Sequence, residues 1–82
     1  MLMTPSLHKP VPMGTRVLMK KELTGKEEHG KVVGIATMSM IFQYIVLLDN
    51  PHECEYGSIE AVAVPGSMLI NEETGKSYRL ND

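Results

Sequence analysis

GKVVGIATMSMIFQYIVLLDN, residues 30–50, decides the fold. It is the longest apolar region of the chain, and it holds the only Phe and one of the three Tyr. Its second half, residues 41–49, is rich in β-branched and aromatic side chains and contains no Gly or Pro. Such residues fit a pleated, half-buried surface. Strand side chains alternate faces, so Phe42, Tyr44, Val46 and Leu48 share a wholly apolar face. Ile41, Gln43, Ile45, Leu47 and Asp49 share the other, which is mostly apolar, with Gln43 and Asp49 polar towards its ends. A short apolar run fits a helix by period alone. The β-branched content and the stop at Asp49-Asn50-Pro51 favour a central strand.

The first half, residues 31–38, places Val33, Ile35 and Thr37 on one face, and Val32, Gly34, Ala36 and Met38 on the other. Gly34 inside a strand marks a bend or a close backbone approach. The hairpin tip, around residues 37–40, lacks a tight-turn dipeptide, so a longer or irregular loop is expected there.

Eighty-two residues make one domain. An apolar content of 43% supports a core, which rests on Val, Ile, Leu and Met because there is no Trp and only four aromatics. No apolar run approaches the roughly 18 residues of a membrane span. No basic region followed by an apolar core opens the chain, so no signal peptide is expected. The single cysteine, Cys54, excludes an intramolecular disulfide and fits the cytoplasm. The net charge of −2 is unevenly spread. Residues 1–31 carry six Lys/Arg against three Glu, and residues 32–82 carry two against seven Asp/Glu.

Outward from the hairpin, residues 1–13 contain Pro5, Pro10 and Pro12 and read as an extended or disordered arm. Residues 14–21 form a first strand, with Thr15, Val17 and Met19 on one face. Residues 22–29 read as a polar loop, and residues 50–57 as a turn-rich excursion. Residues 58–64 form a fourth strand. Pro65-Gly66-Ser67 breaks it as a single 3₁₀ turn. Residues 68–70 form a fifth strand, and residues 72–82 a tail or weak hairpin. The expected core is Val17, Val33, Ile35, Tyr44, Val46, Leu48, Val62, Val64 and Leu69.

Five short strands with a long loop after the first, a central hairpin and a break before the last resemble an SH3-like small barrel. The segment from Val64 to Leu69 looks like the join between the last two strands of such barrels. Gly14, Val17, Gly25-Lys26-Glu27, Gly30-Lys31-Val32 and Ile35 together resemble a KOW-type module, a nucleic-acid- or ribosome-associated version of the barrel. The chain is also similar to short proteins of bacteria and their phages, a likeness that implies no activity. The expected fold is therefore all-β: an SH3-like five-stranded barrel over residues 14–71, with an extended N-terminal arm.

No catalytic, metal or cofactor site is expected. His52-Glu53-Cys54-Glu55 is the one cluster of ligand-type residues, and it falls short of the four ligands of a structural zinc site. Cys54 lacks the orienting groups of a nucleophile–base pair. Thr24-Gly25-Lys26 and Thr74-Gly75-Lys76 lack the spacing of a phosphate loop and read as β-turns. The functional expectation is a small non-enzymatic protein-binding module, with self-association as one version of it. Its contact residues would be Met38, Ser39, Met40 and Ile41 at the hairpin tip, His52 and Tyr56 in the excursion, or an exposed strand edge. Methionine is adaptable and is used at binding surfaces. The alternative tip reading is a cap over the end of the barrel. The alternative function, implied by the KOW resemblance, is nucleic-acid or ribonucleoprotein binding through Arg16, Lys20, Lys21, Lys26 and Lys31. The negative net charge and the lack of stacking aromatics in that region count against it.

Overall fold

The computed structural model describes residues 8–21, 25–38 and 41–80, leaving aside the side chains of Met38, Ile41 and Phe42. The described chain is all-β. Its strands are β1 (Arg16–Met19), β2 (Glu28–Met38), β3 (Ile41–Cys54), β4 (Gly57–Pro65) and β5 (Leu69–Asn71), with a 3₁₀ turn, Gly66–Met68, between the last two. They form one antiparallel sheet in the order β4-β3-β2-β1-β5.

A single sheet has no second layer to cover its apolar face. Here the sheet rolls, so that strands from both edges share one core: Val17 and Met19 from β1, Val32 from β2, Tyr44, Val46 and Leu48 from β3, Val64 from β4 and Leu69 from β5. The sheet does not close into a complete barrel. β4 runs straight through the 3₁₀ turn into β5, and the two do not pair side by side.

Four local expectations are corrected. The first is the buried face of β2. Val33 and Ile35 are each 48% exposed, while Val32 is fully buried. Val32 pairs with Val46, and the register then shifts so that Gly34 meets Ile45. This is a bulge, one extra residue in β2. The residue that faces Val46 takes the core position, and that residue is Val32. Ile35, level with Tyr44, has no flanking strand because β1 pairs β2 only from Glu28 to Lys31.

The second concerns Glu28 and His29, which belong to β2 rather than to a loop. Glu28 lies across from Met19 on the core side and is 3% exposed. The third concerns residues 50–54, which continue β3 instead of leaving the sheet, with His52, Glu53 and Cys54 paired to Ile59, Ser58 and Gly57. The fourth is the tip. The β2–β3 ladder runs to Met38↔Ile41, so only two residues separate the strands and the loop is not long.

Both chain ends pack on the sheet. Val11 is buried in the core, and its N–H donates to the Tyr44 hydroxyl at 3.2 Å. His8 lies edge-on to Tyr44, with ring centroids 5.4 Å apart. The segment after β5 turns back at Gly75: the Asn71 side chain accepts from the N–H groups of Glu73 and Thr74, and Ile70 bridges to Ser77. Arg79 then bridges to His8. The outer side of β5 is thus occupied by the tail, and the tail by the arm.

Candidate interaction surface

The outer face follows from register, because directly opposed residues share a face. One row across the sheet reads Arg16, Lys31, Leu47, Ala61. It starts cationic at β1 and ends apolar at β4.

At the cationic end, the Arg16 guanidinium is engaged on two sides. It donates to both carboxylate oxygens of Asp49, with Nη1–Oδ1 at 2.8 Å, and through Nε to Glu72 at 2.9 Å. His29 Nδ1 lies 3.0 Å from the other oxygen of Glu72. Hydrogen bonds from Arg16 hold the Asp49 and Glu72 carboxyls below the ordinary carboxylate range. The same bonds hold Arg16 protonated beyond its usual value. This network ties β1, β2, β3 and the residue after β5 together. Of the basic set, Arg16 is therefore committed to internal carboxylates, whereas Lys20, Lys21, Lys26 and Lys31 are exposed.

The apolar end is different. Ile45 and Leu47 of β3 stand beside Ala63 and Ala61 of β4, with Val33 at the β2 bulge and Ile59 farther along β4. Val33, Leu47, Ile59, Ala61 and Ala63 are exposed. Among the described residues, no backbone group outside β3 pairs with β4. Its free edge is nine residues long. The register shift between β3 and β4 places its extra residues in β3, between Leu47 and His52, so β4 itself stays regular. The free stretch of β2 begins at a bulge, a feature that twists an edge away from pairing. The β4 edge is the better template.

Beyond this surface, β3 and β4 extend as a two-stranded ribbon whose turn is Glu55-Tyr56. Gly57 closes the turn at φ +131°, where a side chain would be strained. Tyr56 is 92% exposed at the ribbon's end. His52 points inward instead, its Nε2 paired with the Glu28 carboxylate. That pair satisfies a buried acid and holds the ribbon against the start of β2. Cys54 is exposed, and its thiol donates to the Gly57 carbonyl at 3.1 Å. No three His, Cys, Asp or Glu side chains converge as a metal site among the described residues.

Of the sequence-derived contact residues, Tyr56 is displayed and His52 is occupied internally. Ser39, Met40 and the side chains of Met38 and Ile41 lie outside the described residues. The β4 edge and its outer alanines were named in the sequence only as an exposed strand edge. The signal that locates them is Ala61 and Ala63, small apolar residues that alternate with Val62 and Val64 and so lie on the opposite face. Among the described residues, no helix is long and apolar enough to cross a membrane. Comparison with protein-family models, with curated proteins and with solved structures finds no match to this chain.

Proposed function

We propose that this chain is a small, non-enzymatic protein-binding module that takes up an extended segment of a partner along β4. One observation carries the reading: a regular nine-residue strand edge left unpaired among the described residues, bordered by exposed apolar side chains on the outer face. Exposed edges are templates for strand addition, and natural proteins blunt them with charges, bulges or coverings. Here the opposite edge is covered by the tail, and β4 carries one charged residue, Glu60. The strand order, with a 3₁₀ turn before β5, supports the SH3-like reading of the fold. A free thiol at Cys54 fits work in the cytoplasm. The engagement of Arg16 by Asp49 and Glu72 counts against the nucleic-acid alternative.

The test is capture from the native host with two baits, the wild-type chain and Ala61→Lys. The added cation sits on the exposed outer face of the edge and should leave the melting temperature unchanged. A partner retained by the first bait and lost by the second supports the reading. Identical captures would place the contact elsewhere.

A further inference from the structure

The geometry points to a partner segment that is basic as well as extended: a strand of alternating apolar and Lys/Arg residues added to β4. This rests on the edge reading above and names what the edge selects. Charge distribution on the sheet carries it. No Lys or Arg occurs from residue 32 to residue 75, so β3 and β4 carry no such cation. In that span Asp49 is bonded to Arg16, whereas Glu53, Glu55 and Glu60 are exposed along the ribbon and the β4 edge. The cationic residues lie on β1, the first half of β2, the segments flanking them, and the tail, outside β3 and β4.

The two faces of β4 would read alternate residues of an added strand. On the outer face, Ala61 and Ala63 are small and flank Leu47 and Ile45. Bulky β-branched residues of the partner fit beside them. On the other face Glu60 is exposed next to Val62. A Lys or Arg stem packs on the valine while its head pairs with the carboxylate. A second copy of this chain is the poorer occupant. Antiparallel pairing of two β4 strands over their full length is centred on Ala61 and sets the two Glu60 residues diagonally across the same face with no cation on either strand, and like charges across an interface oppose association.

The probes are acetylated and amidated octapeptides: alternating Lys-Val, alternating Glu-Val, and a block peptide of four Lys followed by four Val. Binding is read by fluorescence anisotropy at low and physiological salt, with amide exchange of residues 58–64 reporting where the peptide lies. The Lys-Val peptide should bind at least tenfold tighter than either of the others and should protect β4 amides. Glu60→Lys should reverse the preference in favour of Glu-Val. Glu73→Lys, an equal charge change at the exposed turn after β5, should leave it unchanged. Equal affinity for Lys-Val and Glu-Val, or a preference unmoved by Glu60→Lys, overturns the basic partner. In that case protection of β4 amides by Glu-Val, or by self-association at high protein concentration, leaves the edge reading standing. Absence of β4 protection under every condition removes both.

Discussion

At the residue scale, two valines adjacent in sequence have opposite roles. Val32 is sealed against Val46, and Val33 faces outward at the bulge. Val46→Ala should cost about 1–3 kcal/mol, because it deletes buried methyls and leaves a void. Val33→Ala should stay within about 0.5 kcal/mol. Urea melts of both variants check the pair, and equal costs would mean that the register is wrong. Gly30 obeys a different constraint. A Cβ there would lie 2.6 Å from both the Leu47 carbonyl oxygen and Val46 Cγ1. Gly30→Ala must therefore push strands apart and should cost about 1–3 kcal/mol, in line with overpacking. Glu28 is legible in the sequence only as a polar loop residue. Its burial depends on His52, which lies 24 positions away. His52→Ala strands a buried carboxylate and should destabilise by about 1–3 kcal/mol. Glu28→Gln, which keeps a hydrogen-bonding group facing the imidazole, should cost less. Near-zero costs for both variants in thermal melts would show that the pair contributes nothing to holding the ribbon.

At the element scale, Arg16 of β1 is bonded to Asp49 of β3 and to Glu72 just after β5. Asp49 and Glu72 both have depressed folded-state pKa values caused by Arg16. A depressed carboxylate stabilises the fold above its unfolded value, and the contribution is lost as pH falls through the folded value. Stability should be flat in this respect near neutrality and decline below about pH 4. Arg16→Gln should flatten the decline, since without the cation the two carboxyls titrate more nearly as they do unfolded. Melting curves from pH 7 to pH 2.5 test this, and parallel pH profiles for the two proteins would refute it. The strands themselves were largely readable. Period-2 alternation locates β1, β3, β4 and the break at the 3₁₀ turn. Alternation failed at residues 50–54, where Pro51 and the polar residues after it signal a turn. The strand continues because β4 supplies partners for it.

At the scale of the whole molecule, the arm and the tail complete what the five strands leave open. Val11 closes the core over Tyr44, and the tail covers β5. Removing residues 1–13 uncovers that end of the core. A loss of about 1–3 kcal/mol is expected for burial of this size. At roughly 4–8 °C per kcal/mol for a domain of this length, the melting temperature should fall visibly. Among the described residues the arm's backbone pairs with the tail and not with β4, so peptide binding at the β4 edge should survive the truncation. A truncated chain that melts like the full one would show that the arm does not contribute to the core.

The sequence by itself determined that the chain is all-β, that residues 41–49 are its central strand, and that Val17, Tyr44, Val46, Leu48, Val64 and Leu69 make the core. Those features follow from local composition and a two-residue period, which every strand must express whatever its neighbours. Only the tertiary structure decided which face of β2 is buried, that Arg16 is spent on Asp49 and Glu72, that Glu28 is buried beneath His52, and that β4 rather than β5 is left as a bare edge among the described residues. The physical reason is the same in each case. Both faces of β2 carry apolar side chains, so alternation alone does not choose between them. A one-residue bulge, a partner 24 to 56 positions away or a returning tail shifts the balance through pairing, and pairing is a property of two segments at once.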